Sequence, residues 1–430
     1  MKKKVLVGSV IAGALAGVAG YLFKKRNKGR PDRNSTQKSA LIVTSVASMV
    51  DQFIMPSIEL LISMGYDVDV ATNFVKGSTC SDEKIAELIE RLDSMSVDCY
   101  HIDFDRKVLD VRADVKAFKQ VDAVMNGSAE PVNEERHHRI SAEAGYALVH
   151  SHSPIGGVVG RLEAKKHGIR SIYTAHGFHF YDGAPVKNWL LFYPIEWTLS
   201  FITDTLITIN KEDYERAKSH LHAKETVYIP GIGIDVEKFS DVKIDREAKR
   251  AGLGLNDGDM MLLSVGELNE NKNHRVVVEA IGEIRERSHL HYFIAGKDAG
   301  QGDALVKLAH KKSVNLHLLD FRTDIPELLK AADVFLLPSI REGLNVGLME
   351  AMESGLPCIV SDIRGNRDLA CAKVTVVPNS LNAENWEFAI EIIENLNLRK
   401  VSLIDDDILD RVSEVGINIS LRKVYNSITV

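Results

Sequence analysis

The stretch from Asp333 to Met352, DVFLLPSIREGLNVGLMEAM, decides the fold, because it joins an apolar strand to a helix with a carboxylate on each side of the helix start. Val334 to Leu337 reads as a strand buried on both faces, and Pro338 and Ser339 end it. Gly343 lets the backbone turn into a helix whose apolar face is Leu344, Leu348, Met349 and Met352. A helix opening there directs free N–H groups and a partial positive charge above the sheet, an arrangement that holds phosphate.

Glu342 and Glu350 lie eight positions apart, so on an ideal helix they point ~80° apart. With Glu342 in the loop, Glu350 sits about 10 Å further along the axis. They do not work as one pair. The separation suits Glu350 against ribose hydroxyls, a diphosphate at the helix start and Glu342 toward a sugar.

Working outward, apolar runs alternate with helical patterns in two series. The first has strands at ALIVTSV from Ala40, then Asp67 to Ala71, Ala147 to His150, Ser171 to Thr174, Thr205 to Ile209 and Val227 to Ile229, with a helix expected from Asp51 to Met64. The second has Met260 to Val265, His291 to Ala295, Asn315 to Leu318, Asp333 to Leu337, Pro357 to Val360 and Val374 to Val376. The alternation predicts an α/β protein of two doubly wound parallel-sheet domains, with ligands at the carboxyl ends of the strands. Glycines in GIGIDVEKF, from Gly231 to Phe239, mark the boundary. The expected organisation is an anchor and basic linker over 1–38, a first domain over 39–235, a second over 236–415, and a last helix over 416–430.

These segments resemble the retaining GT-B glycosyltransferases of family 4, in the branch that builds capsular and exopolysaccharides. The Glu342 to Glu350 segment looks like that family's EX7E region. FRTDIPELLKAADVFLLPSIREGL, SVGELNENKNH and SGLPCIVSDIRGN are similar to its carboxyl-terminal donor domain; HSHSPIGGVVGRLEAK, YTAHGFHFYDGAP and ITINKEDYERAK match its amino-terminal domain. The resemblance implies a GT-B fold with two domains facing across a cleft, a last helix that can cross back onto the first domain, and a nucleotide-sugar donor.

Carried over residue by residue, the resemblance marks His176, Lys272 and Glu342 as catalytic, and Gly266, Arg341, Gly343, Leu344, Asn345 and Glu350 as donor contacts. Lys272, in the loop after Met260 to Val265, is placed to stabilise a departing nucleoside diphosphate. Many relatives have an arginine earlier in that loop; here Gly266 and Glu267 stand in its place, so Lys272 acts alone or with Arg341. Ser48, Asp51, His152, Gly156 and Gly157 are expected to line the acceptor side. VASMV from Val46 lacks the glycine pair of relatives, which puts close phosphate approach there in doubt. His150, His152, His176 and His179 could converge on a metal, but no carboxylate or thiolate partner is evident, so structural or acceptor-side roles are expected. Asp67 to Asp69 and Asp103 to Asp105 have Asp-x-Asp spacing that strand alternation explains. Transfer without a metal cofactor is therefore expected, as is Arg364–Gly365–Asn366 as either a crevice-facing group or a simple turn.

The net charge of -7 hides an asymmetry: residues 1–38 carry ten Lys or Arg and one Asp, leaving 43 basic against 59 acidic residues, or -16, on the rest. That excludes nucleic acid as a natural partner of the globular part. Val5 to Phe23 is nineteen uncharged residues, enough to cross ~28 Å of hydrocarbon as a transmembrane helix; a cleaved signal peptide is the rival reading, against which the KKRNKGR that follows is a poor mature start. The basic cluster from Lys24 to Arg33 outweighs Lys2 to Lys4, so the positive-inside bias places the domains in the cytoplasm at the cell membrane. Cys80, Cys99, Cys358 and Cys371 lack metal spacing and read as free thiols. The expected activity is transfer of a sugar from a nucleotide diphosphate sugar, with UDP the nucleotide, to a lipid or lipid-linked acceptor, alongside polysaccharide assembly proteins. A UDP-sugar 2-epimerase and a non-catalytic nucleotide-sugar-sensing subunit are the alternatives.

Overall fold

The computed structural model describes residues 38–75, 80–104, 111–133, 145–231, 233–371, 374–378, 380–396 and 406–429. The chain divides into two compact units: one runs to Ile232 and takes in Asn418–Val430, the other is Gly233–Ile417. The expected transmembrane segment, Val5 to Phe23, lies outside the described residues. Among those residues no helix is long and apolar enough to cross a membrane.

The first unit holds β1 (Lys38–Val43), β2 (Tyr66–Thr72), β3 (Asp98–His101), β4 (Leu148–His152), β5 (Arg170–Ala175), β6 (Thr205–Thr208) and β7 (Glu225–Tyr228). All are parallel, in the order β3-β2-β1-β4-β5-β6-β7. The strand order reverses between β1 and β4, which is where such a sheet opens a crevice beyond its carboxyl ends. The second unit repeats the plan with β8 (Met260–Val265), β9 (Leu290–Ala295), β10 (Asn315–Leu318), β11 (Val334–Leu337), β12 (Cys358–Ser361) and β13 (Val374–Val377), ordered β10-β9-β8-β11-β12-β13 and also parallel. Its reversal falls between β8 and β11.

Period-two alternation builds the second core. Met261, Leu263, Phe293, Phe335 and Leu337 pack on one face of the sheet, while Met260, Leu262, Tyr292, Ile294, Val334 and Leu336 pack on the other. Because helices cover both faces, these strands are apolar throughout rather than half polar. The helices that matter below are α1 (Met55–Ser63), α2 (Pro154–His167), α3 (Val186–Ser200), α4 (His274–Glu283), α5 (Val346–Glu353) and α6 (Glu414–Thr429).

Three local expectations need correction. β1 stops at Val43, short of the full ALIVTSV run. The single helix expected from Asp51 to Met64 is instead a short turn at Ala47–Met49, a π-helical stretch at Val50–Ile54, and α1. Pro56 explains the break: it has no N–H to offer the preceding turn and its ring crowds that turn's carbonyl, so the register widens before α1 starts. β3 is an additional strand at the sheet edge and ends at His101, so Asp103 lies beyond it and strand alternation does not explain the spacing that begins there.

Candidate active site

In the second unit, the loops after β8 and β11 flank the switch point and are tied to each other. The Ile340 N–H donates to the Asn271 carbonyl at 2.8 Å, and Asn271 Nδ2 donates to the Arg341 carbonyl at 2.9 Å. Across this seam Lys272 Nζ meets Glu342 Oε1 at 2.8 Å, both side chains largely shielded from solvent. Asn269 Oδ1 holds the Lys272 N–H at 2.9 Å, which fixes the loop that carries the cation.

Gly266 has φ +151, and a Cβ there would stand 3.0 Å from Lys272 Cε. The glycine thus gives the lysine stem its path over the strand end, and its own carbonyl lies against Gly296, where a side chain has no room. Gly266 acts on the site through Lys272.

The helix expected to open at Gly343 opens at Val346. Asn345 is its N-cap, with Oδ1 accepting the Leu348 N–H at 3.1 Å, because a short polar side chain there satisfies a donor that the helix leaves unpaired. Asn345 is buried by that role, and Gly343 and Leu344 stay in the loop. Gly343 is not among the positive-φ glycines; its carbonyl instead lies against Gly365, at a distance that excludes a Cβ on Gly365. Arg364 is buried, and its Nε donates to the Glu342 carbonyl at 3.4 Å. So Arg364, Gly365 and Asn366 form a buried short helix, Arg364–Asp368, that supports the Glu342 loop from behind, rather than an exposed turn. Arg341 is exposed.

Glu350 is half-buried on α5, and burial raises its carboxyl to about 7, with Lys238 opposing the shift. The neutral form therefore prevails below that value, and a charge able to accept hydroxyl donors is complete only above it. A raised carboxyl also means that whatever stability the neutral form confers is lost as pH rises through 7. Calorimetric titration with UDP is expected to show affinity falling as pH drops from 8 to 6, with a flatter profile in Glu350→Gln; equal profiles would remove Glu350 from the ribose.

In the first unit, the histidines gather at the carboxyl ends of β4 and β5. Register places His150 beside Ile172 and His152 beside Thr174. His150 is fully buried with both nitrogens occupied, Nε2 by Thr174 Oγ1 at 2.8 Å and Nδ1 by Tyr425 of α6 at 3.0 Å. His152 Nδ1 and His176 Nε2 share a hydrogen bond of 3.0 Å, while His152 Nε2 is buried without a partner. Burial pushes His150 down to about 3 and His176 to about 4, and holds His152 far below the usual histidine range, so all three are neutral at physiological pH. His179 stands apart, its ring stacked on Phe192 at 4.3 Å.

The residues expected on the acceptor side make contacts within the first unit. Gly156 and Gly157 face the sheet: a Cβ on Gly156 would come within 3.0 Å of Thr44 Cα, and one on Gly157 would enter the Tyr173 ring. Ser48 is buried in its short turn, and Asp51 pairs with Lys84 at 3.1 Å. Asp69 is buried against the Tyr146 hydroxyl, and Asp103 bonds Gln120 and Lys116, so both are engaged within the domain. Sequence reasoning missed Ser153, which sits at φ +64 immediately after His152 and caps α2, its Oγ receiving the N–H groups of Gly156 and Ser45. The Ser-Pro pair at the helix start was its signal. It also missed Tyr425, 275 positions from the histidine it holds.

Residues 58–238 match the model of Glycosyltransferase Family 4, and residues 245–404 match that of the Glycosyl transferases group 1. The Bacillus subtilis (strain 168) protein EpsD, named as a candidate glycosyltransferase, is 43% identical over 232 residues, a match that spans 52% of this chain and 61% of that one. An Escherichia coli UDP-Gal:alpha-D-GlcNAc-diphosphoundecaprenol alpha-1,3-galactosyltransferase is 32% identical over 281 residues, 63% of this chain and 69% of the relative. Among solved structures, Anabaena HepE in complex with UDP and glucose superposes with a TM-score of 0.69 at 14% identity, over 91% of this chain and 100% of that chain, a likeness of fold. With two parallel-sheet α/β units in the GT-B arrangement of strands and these matches in sequence, the chain belongs to the family 4 glycosyltransferases.

Proposed function

We propose that the protein is a retaining glycosyltransferase, anchored in the cell membrane with both units in the cytoplasm, that moves a sugar from a UDP-sugar to a lipid-linked acceptor in exopolysaccharide synthesis. The observation that carries this reading is the meeting of Lys272 and Glu342, seventy positions apart, over the switch point of the second sheet. A cation and a carboxylate placed there, ahead of a helix start, suit a glycosyl diphosphate: the cation answers charge growing on the leaving oxygens, and the carboxylate addresses the sugar.

In this mechanism the donor displaces Glu342 from Lys272. Nζ then bonds the diphosphate, the N–H groups of Val346 and Gly347 assist, and Glu350 holds the ribose. The bond from the anomeric carbon to the diphosphate oxygen breaks, the electron pair leaves with UDP, and the acceptor hydroxyl attacks from the same face, releasing its proton toward the departing diphosphate. Lys272, Arg341 and backbone N–H groups carry the electrostatic work that a metal ion does in other transferases, so activity is expected to persist in a chelator. The Escherichia coli relative is named for a UDP-Gal donor and a diphosphoundecaprenol acceptor, and HepE was solved with UDP, which supports UDP and a lipid-linked acceptor here.

A panel of radiolabelled nucleotide sugars, incubated with the protein and membrane lipid extract, tests the proposal. Label from one UDP-sugar is expected in the organic phase. Conversion of the UDP-sugar to another sugar without any acceptor would replace the reading by an epimerase.

A further inference from the structure

Four large apolar side chains are left in solvent along α3 and its C-cap: Val186 at 72%, Leu190 at 59%, Trp197 at 41% and Phe201 at 55% exposure. At 100° per residue they fall within an arc of about 60°, so they form one stripe along some 22 Å of helix. The stripe is braced from beneath. Trp197 meets Phe201 edge-on at 4.9 Å, and Phe201 stacks on His222 at 4.2 Å. Lys187 is exposed beside it, whereas Glu196, the helix's only acid, is turned inward and paired with Arg161 at 2.8 Å. The outward face thus offers one cation, two aromatic rings and no anion.

A second copy of the chain is a poor occupant. The exposed parts of these four residues amount to roughly 450 Å², against about 800 Å² per partner in a stable interface. A lipid surface needs less, because the first unit is tethered to it under the anchor reading proposed above, on which this inference rests. Fourteen residues separate Phe23 from Lys38, a span of at most ~50 Å. A weak contact becomes effectively intramolecular at that range. Trp and Phe on an otherwise acid-free helix face suit the headgroup boundary of an anionic bilayer. We propose that the Val186–Phe201 face of α3 lies on the anionic membrane surface and holds the first unit against the bilayer that carries the acceptor.

The test uses the full chain in phosphatidylcholine vesicles containing phosphatidylglycerol, with brominated acyl chains as fluorescence quenchers. Trp386 is fully buried, so it serves as an internal reference. The brominated lipids are expected to quench a component of the emission that disappears in Trp197→Phe, and iodide in the water is expected to leave that component bright. Quenching of Trp197 by iodide and not by lipid overturns the inference, as does disulfide capture of a dimer through Trp197→Cys. Carbonate washing separates the two readings: protein retained after washing but unquenched by lipid sinks this inference alone, and protein stripped by washing yet quenched beforehand sinks the anchor alone. In Leu190→Glu/Phe201→Glu, transfer to an acceptor embedded in vesicles is expected to fall about fivefold or more while transfer to a detergent-dispersed acceptor is unchanged; equal rates on both also overturn it.

Discussion

Lys272→Ala is expected to lower kcat by about 10²- to 10³-fold, the range seen when one preorganised donor facing a developing anion is removed. The structure gives the reason. Lys272 is held by three separate devices: a backbone bond to Asn269, the stem's path across Gly266, and the 2.8 Å contact with Glu342. None of these forms part of a core, and a partly exposed ion pair stabilises a fold by about 1 kcal/mol or less, so the melting temperature should move little. Kinetics and calorimetry on the same preparation therefore separate chemistry from folding. Under the proposed mechanism the cation acts as charge grows on the leaving diphosphate, so the loss should fall mainly on kcat, with UDP affinity weakened by a smaller factor. Lys272→Arg should recover part of the rate, because the charge is restored on a bulkier and more rigid fork. A Lys272→Ala enzyme with kcat within threefold of wild type would show that this lysine does not face the leaving group.

Much of the fold and of the loop geometry was legible in the residues, for reasons that differ between strands and loops. The strands were readable because burial on both faces makes them uniformly apolar, so Met260 to Val265 and Val334 to Leu337 announce themselves without alternation. Lys272 and Glu342 were readable because each sits one loop beyond such a strand. Hidden was anything that depends on two segments meeting. Nothing near Gly266 reveals that the carbonyl of that residue presses on Gly296, and nothing near Gly343 foretells Gly365. Gly156 and Gly157 suggested ligand contact for the same reason that a packing glycine always can: from sequence, room made for a ligand and room made for a neighbouring strand look alike. The cap role of Asn345 was also legible, since an asparagine three positions before Leu348 at the start of an apolar helix is a cap by its chemistry.

The histidine pair carries the last expectation. A buried N–H without an acceptor is rarer and costlier than an unused lone pair. Since His152 Nε2 has no partner, its proton belongs on Nδ1, which donates to His176 Nε2 across 3.0 Å. His176 must then carry its own proton on Nδ1 and can offer only a donor to a substrate oxygen. His152 is thus a positioning residue, setting the tautomer of the ring in front of it, with His150 fixed behind it by Thr174 and Tyr425. His152→Phe keeps a ring and loses the donor, so kcat should fall about 10- to 100-fold. His152→Asn, whose amide N–H reaches close to the lost Nδ1, should stay within a few-fold of wild type. The pH profile sharpens the distinction. His176 sits near 4 because burial disfavours its charged form, so it stays neutral from pH 6 to 8 and contributes no acid limb there. Loss of the hydrogen bond should lower the whole profile without moving it. Equal loss in the Phe and Asn variants, or an acid limb that shifts with either, would mean that His152 serves packing alone.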